Sequence, residues 1–255
     1  MNERVRTGIQ ELDTMLEGGF LSETANLVEG APGTGKTTLG LQFIYNGITR
    51  FDEPGLVLAF EELSEQYYQD ALGFGWDLRA LEKAGKLRLV VTSPEMSMSE
   101  LERAEGSMQA AVQEIGVRRV LVDSITHFRR LTTDAVELRR IMYNFINGLK
   151  REGLTAILTQ ESDQLFGSGP QAYDELAFLV DSYILLRFVE IDSAIRKALL
   201  VLKLRSSDHA KDIRQFDITA AGIQVRSRFE GREGIMSGSP RRMADSFIKA
   251  FVEKR

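Results

Sequence analysis

The sequence predicts an α/β fold: a mainly parallel central sheet flanked by helices, followed by a C-terminal antiparallel hairpin extension. Three observations predict it. Short apolar runs alternate with segments of helical period from residue 23 to residue 161. A glycine-rich loop joins the first such run to the first such helix. After residue 161 the alternation stops, and two long strand-like runs follow each other closely. Strand–helix alternation requires crossover connections, which are right-handed and leave helices on both faces of a parallel sheet.

Residues 1–22 form a short lead-in, broken by Gly18-Gly19. ETANLVEG (23–30) reads as the first strand, and APGTG as a loop that needs glycine and small residues to turn so tightly. KTTLGLQFIYNGITR is helical, because Leu39, Phe43, Ile44 and Ile48 fall on one face. GLVLAFEE (55–62) has the compact apolar run of a strand buried on both faces, with Glu61-Glu62 at its end. SEQYYQDALGFG follows as a helix with Ser64 as N-cap. KLRLVVTS (86–93) is the third strand, a polar helix covers 98–115, and VRRVLVDS (117–124) is the fourth strand. A helix over 134–151 carries the stripe Val136, Leu138, Ile141, Phe145 and Leu149, and GLTAILTQE (153–161) is the fifth strand. SDQLFGSGPQAYDE is a loop of turn formers. The runs at 177–191 and 194–205 are close enough to pair as an antiparallel hairpin, extended by RQFDIT and GIQVR. The tail, 240–255, reads as an amphipathic helix with Met243, Phe247, Ile248 and Phe251 on one side. No repeat or Pro-rich linker divides the chain, so 1–255 reads as one domain.

Composition bounds the function. The chain has 255 residues, 43% hydrophobic and 27% charged, the balance of a soluble globular protein. The absence of cysteine excludes disulfides, Cys-ligated zinc, iron–sulfur clusters and thiol nucleophiles together. No run is long enough for a transmembrane helix, so no membrane partner is expected. The charged N-terminus MNERVRTGIQELD has no apolar segment of the signal-peptide kind, so the expected location is cytoplasmic. A net charge of −5 argues against a nucleic-acid binder over the whole surface, though not against a local basic channel.

Gly30-Ala31-Pro32-Gly33-Thr34-Gly35-Lys36-Thr37 fits the P-loop pattern, with the required strand before it and helix after it. Its glycines let backbone N–H groups turn inward around phosphate oxygens, and the helix dipole favours negative charge there. Lys36 would reach the β/γ-phosphates and Thr37 would offer a hydroxyl to Mg²⁺; the nucleotide-binding run is read as continuing to Thr38. Asp123 closes the strand VLVD at the Walker B position, where a carboxylate holds Mg²⁺ directly or through water. Glu61 and Glu62 alternate in direction, so one can face the nucleotide while the other pairs or supports it; either could activate the attacking water. Gln160 ends the fifth strand, where a side-chain amide could sense the γ-phosphate.

With these residues in view, the chain resembles a single-domain member of the KaiC family, in the RecA/RadA branch of P-loop ATPases. The resemblance runs through TGIQELDTMLEGGF (7–20), VEGAPGTGKTTLGLQFIYNG (28–47), LAFEELSEQYYQDALGFGWDL (58–78), VLVDSI (120–125), KLRSSDHAKDIRQFDIT (203–219) and SGSP (237–240). It implies a RecA-like P-loop NTPase core, ATP hydrolysis with Mg²⁺ as cofactor, and a homo-oligomer in the form of a hexameric ring. It implies that Glu61 and Glu62 are catalytic beside Lys36. It also implies that Lys203, Arg205 and His209 reach the γ-phosphate held by a neighbouring subunit. Lys203 and Arg205 lie two apart on a strand and so share a face, and cations supplied from outside the pocket stabilise phosphoryl transfer.

Two features depart from the clock members of that family. They carry two ATPase copies, and this chain has length for one. They autophosphorylate a serine–threonine pair that would fall here at Ala177-Phe178, which cannot accept phosphate. Autokinase activity there is therefore not expected, although Ser168 lies nearby. Among smaller features, His127 follows the Walker B strand without metal-ligand partners, and Trp76 reads as a packed core aromatic. Arg129, Arg130, Arg139 and Arg140 fit either a ring channel or a solvated patch. Two alternatives to an ATPase stand beside it: a nucleotide-gated assembly module that recruits a protein signalling partner with little turnover, and a RecA-like DNA-binding motor. The net charge and the lack of a separate DNA-binding domain disfavour the second.

Overall fold

The computed structural model describes residues 3–102, 107–162, 176–235 and 241–242. The strands are β1 (Arg4–Val5), β2 (Phe20–Leu21), β3 (Ala25–Gly30), β4 (Gly55–Ala59), β5 (Leu87–Val91), β6 (Arg119–Asp123), β7 (Thr155–Glu161), β8 (Ser182–Ile191), β9 (Ala194–Leu204), β10 (Arg214–Thr219), β11 (Gly222–Arg228), β12 (Arg232–Glu233) and β13 (Arg241–Arg242). The helices are α1 (Gln10–Met15), α2 (Lys36–Phe51), α3 (Ser64–Leu72), α4 (Leu78–Lys83), α5 (Pro94–Glu102), α6 (Ser107–Ile115), α7 (Ala135–Arg151) and α8 (Leu176–Leu179). A 3₁₀ turn over Ile125–Arg130 follows β6.

Nine strands form one sheet in the order β11-β10-β9-β8-β3-β7-β6-β4-β5. The six from β8 to β5 in that order run parallel. The pairings β8–β9, β9–β10 and β10–β11 are antiparallel. The period-two alternation of the strands splits the core into two clusters. Val28, Val57, Leu121 and Ile157 pack on one face with Leu39, Phe43 and Ile44 of α2. Leu27, Leu56, Leu58, Val120, Val122 and Leu158 pack on the other with Phe145 and Leu149 of α7. Each such side chain contributes about 1.5–3 kcal/mol when fully buried. Trp76 joins the first cluster, stacked on Phe74 and Tyr45 at 4.8 and 5.5 Å between ring centroids.

The antiparallel edge folds over α2. Ile223 on β11 bonds the Gln42 amide through both its N–H (2.7 Å) and its carbonyl (3.3 Å). Phe216, Ile223 and Val225 are buried in the α2 cluster. This cover brings β9 and β10 against the start of α2, where the glycine-rich loop lies.

Several sequence expectations are corrected. Ser64 does not cap α3: it is the first helical residue, and Leu63 stands at the cap position with no side-chain bond. Glu61 and Glu62 lie just beyond β4, which stops at Ala59. The strand expected from residue 177 begins at Ser182, because Leu176–Leu179 form a helical turn with Leu176 buried against α7. The helix expected to begin at 98 begins earlier, with α5 at Pro94, and residues 103–106 lie outside the described residues. Residues 241 and 242 pair with 232 and 233 as a short ribbon instead of opening a helix. The rest of the expected terminal helix, SGSP (237–240) and Ser168 lie outside the described residues.

Candidate functional site

The glycine-rich loop occupies the turn from β3 to α2 and its shape depends on two glycines. A Cβ at Gly30 would lie 2.5 Å from the Thr34 hydroxyl and 2.8 Å from the Leu186 carbonyl oxygen. Gly35 has φ 106°, and a Cβ there would also meet Ile218 at 2.7 Å. Thr34 is buried and turns the loop inward, donating from its N–H (3.2 Å) and hydroxyl (2.8 Å) to the Ala31 carbonyl. Pro32 and Gly33 are exposed at its crest. Lys197 of β9 secures that crest by donating to the Gly33 carbonyl at 2.9 Å. No side chain caps α2, so its first-turn N–H groups, around Thr37 and Thr38, are available to an anion.

Lys36 is buried, and its ammonium donates to the Ala31 carbonyl at 3.3 Å. Burial pushes its pKa below the usual lysine range, while Glu161, Asp123 and Glu29 pull it back up. A half-desolvated cation facing three carboxylates is poised for phosphate oxygens.

Asp123 is the hub of the site. Its Oδ2 accepts from the Thr37 hydroxyl at 2.9 Å and from the buried Tyr67 hydroxyl at 2.9 Å, and its Oδ1 accepts from Thr159. Thr37 and Asp123 thus present adjacent hard oxygen donors at the mouth of the loop, a set that suits Mg²⁺ completed by water and phosphate oxygens. Among the described residues no group of three or more His, Asp or Glu forms an all-protein metal cage. Tyr67 has its pKa raised, first by burial and then by Asp123, so it remains a donor.

The two glutamates have different surroundings. Burial, then Asp123, Asp70 and Glu61, push the Glu62 carboxyl above its usual value, which puts Glu62 in the field of the Asp123 hub. Glu61 is engaged from the 3₁₀ turn: His127 Nε2 lies 3.2 Å from one carboxylate oxygen and an Arg130 nitrogen 3.7 Å from the other. Gln160 is buried on β7, level with Glu29 of β3. Beneath the loop, Glu29 accepts from Tyr183 and pairs with buried Arg187 at 3.4 Å.

The late basic residues lie elsewhere. Lys203 donates to the Ala177 and Val180 carbonyls at 2.9 and 2.7 Å, and Arg205 to the Phe178 carbonyl at 2.5 Å, closing the end of α8. Burial and then Arg205 lower the Lys203 pKa. Lys203 pairs in register with Tyr183, near the start of β8, whereas Lys197 pairs with Phe188 beyond the level of Gly30. Six residues of extended strand, roughly 20 Å, separate Lys203 from the lysine that touches the loop. His209 follows, with Nδ1 buried and unpartnered. The chain's own loop therefore gathers Lys36, Thr37 and Asp123, with Glu62 in the field of Asp123 and Glu61 held by His127 and Arg130, and leaves Lys203 and Arg205 at the opposite end of β9.

Sequence reasoning missed Tyr67, Thr159, His127 and Lys197 as neighbours of these groups. A hydroxyl within the apolar run of β7 was a signal for Thr159; nothing local marks Tyr67 or Lys197. Of the arginine pairs, Arg130 meets Glu61 and Arg140 bonds Glu137. Among the described residues no helix is long and apolar enough to cross a membrane.

A family model described as "ATPase: KaiC" matches residues 5–230. The chain is 35% identical over 246 residues to the circadian clock protein KaiC3 of Synechocystis sp., covering 96% of this chain and 48% of that protein. It is 33% identical over 243 residues to the circadian clock oscillator protein KaiC of Thermostichus vulcanus, covering 95% and 46%. It is 35% identical over 229 residues to the KaiC of Synechococcus elongatus, covering 87% and 44%. The chain thus spans about half the length of the curated relatives it matches. With a phosphate loop, an aspartate hub and a mainly parallel sheet beside the family match over residues 5–230, this chain belongs to the KaiC family of ATPases, within the RecA/RadA P-loop superfamily.

Proposed function

We propose that this protein is a Mg²⁺-dependent ATP hydrolase that works as a homo-oligomeric, hexameric ring with catalytic groups shared between neighbours, in a regulatory or signalling role. The observation that carries the reading is the 2.9 Å contact of Thr37 with Asp123 at the mouth of a loop that also holds Lys36. ATP phosphates would lie on the backbone N–H groups of the loop, with Lys36 on the β/γ-oxygens. Thr37 and Asp123 would hold Mg²⁺, which when bound neutralises charge developing on those oxygens. Glu61 and Glu62 orient and deprotonate the attacking water, and Gln160 senses the γ-phosphate.

The position of Lys203 and Arg205, far along β9 from their own loop, supports their service to a neighbour's γ-phosphate, with His209 beside them. The regulatory role is supported by the clock function in the relatives' names, which belongs to chains about twice this length. Ala177 and Phe178 carry no hydroxyl, so autokinase chemistry at that position is not included.

Lys36→Ala is expected to abolish ATP binding. Glu61→Gln combined with Glu62→Gln is expected to keep ATP binding and lose phosphate release. Unchanged turnover in the double variant would sink the assignment. A second reading, a nucleotide-gated assembly module, is favoured by one observation: Glu61 is already engaged by His127 and Arg130. Light scattering with a non-hydrolysable analogue separates the two, since that reading requires assembly with little phosphate release from ATP.

A further inference from the structure

We infer that His127 is a positioning residue for Glu61: it fixes the carboxylate of that glutamate in the direction from which it serves the attacking water. The inference rests on the reading of Glu61 as a catalytic glutamate.

Glu61 has little of its own to hold it. It follows the end of β4, and its side chain is 60% exposed, so its rotamers are otherwise free. His127 is the opposite case, with a side chain 7% exposed on a turn anchored at several points. Phe128 beside it is fully buried and packs on Phe60 and Phe145. The Thr126 hydroxyl accepts from the Glu161 N–H at 2.9 Å, and the His127 N–H reaches the Ser124 carbonyl at 3.3 Å. The Phe60 N–H donates to the Asp123 carbonyl at 3.1 Å. The imidazole is thereby tied to the carboxyl ends of β4, β6 and β7 at once. It stands 3.2 Å from one oxygen of Glu61, while Arg130, itself exposed, stands 3.7 Å from the other.

A carboxylate only accepts, so the Nε2 that faces it carries the proton. A rigid donor on a mobile carboxylate limits its directions, and general-base catalysis is sensitive to displacements of an ångström. The buried histidine therefore acts on Glu61 rather than on substrate or metal.

The test uses two substitutions of similar polarity and different reach. In His127→Gln the amide N–H extends about as far as Nε2; in His127→Asn it stops one methylene short. Steady-state turnover of the full chain with ATP and Mg²⁺ is expected to keep kcat within about twofold in the Gln variant and to lose about tenfold or more in the Asn variant, with KM unchanged in both. Equal kcat values for the two variants would overturn the inference. So would a parallel loss of ATP affinity in the Asn variant, which marks a packing role. Wild-type kcat in Glu61→Gln would overturn the underlying reading of Glu61 instead. Should the Asn variant not fold, imidazole ¹⁵N spectra of wild type and Glu61→Ala decide. The chain has two histidines, so assignment needs one variant. A His127 Nε2–H signal that moves on loss of the carboxylate supports the contact, and one that does not move refutes it.

Discussion

Asp123 accepts three hydroxyl hydrogen bonds, and its behaviour shows what single residues contribute. Tyr67 supplies one of them from a buried position on α3. Its pKa is raised above the usual value of 10.0 by burial and by Asp123, so its ionisation is coupled to unfolding. The neutral tyrosine stabilises the fold fully below pH 10, and that stability is lost as pH rises above the unfolded value. Urea melts from pH 8 to pH 11 are expected to show a smaller alkaline loss in Tyr67→Phe than in wild type. Lys36 illustrates the opposite tendency, since burial disfavours its charged form. Lys36→Met is expected to raise ligand-free stability by about 1 kcal/mol while removing the thermal shift on adding ATP. The meeting of Thr37 with Asp123 was legible in the sequence because the glycine-rich loop fixes the place of Thr37 and the apolar run VLVD ends on Asp123. Tyr67 was not: its contact spans 56 residues and depends on how α3 crosses the sheet end.

At the scale of elements, legibility follows how locally a boundary is determined. Asp134 caps α7 by accepting from the N–H groups of Val136 (2.8 Å) and Glu137 (3.2 Å), and the sequence placed that helix within a residue. Asp134→Ala is expected to lower stability by about 1 kcal/mol in denaturant unfolding, with little change in ATP affinity. Ser64 offered the same signal and does not cap, because the chain enters α3 from the bend that carries Glu61 and Glu62. From apolar runs alone, β3, β5, β6 and β7 were located to within two residues, and β4 to within three. The start of β8 was not, since Leu176 is buried in a helical turn whose apolar residues look the same in a strand.

For the whole molecule, the two-faced core was legible because each central strand is apolar on both sides. The separation of Lys203 and Arg205 from their own loop was not, since it depends on β9 running antiparallel to β8. If those cations serve a neighbour, two defective chains should complement. Lys36→Ala lacks a working loop and Arg205→Ala lacks the donated cation, yet each supplies what the other has lost. An equal mixture, assembled with ATP, is expected to recover about a quarter of wild-type phosphate release, the fraction of random junctions with both halves intact. A mixture no more active than its components would show that each chain is self-sufficient. The eleven residues of β9, paired to β8 along their length, then act as a gauge. If Lys203 and Arg205 serve a neighbour, the number of residues in β9 would set the spacing between the loop a subunit carries and the loop it completes. One residue added to that strand before Val201 would turn Lys203 to the other face, and would turn the buried Val201 and Leu204 out of the core with it.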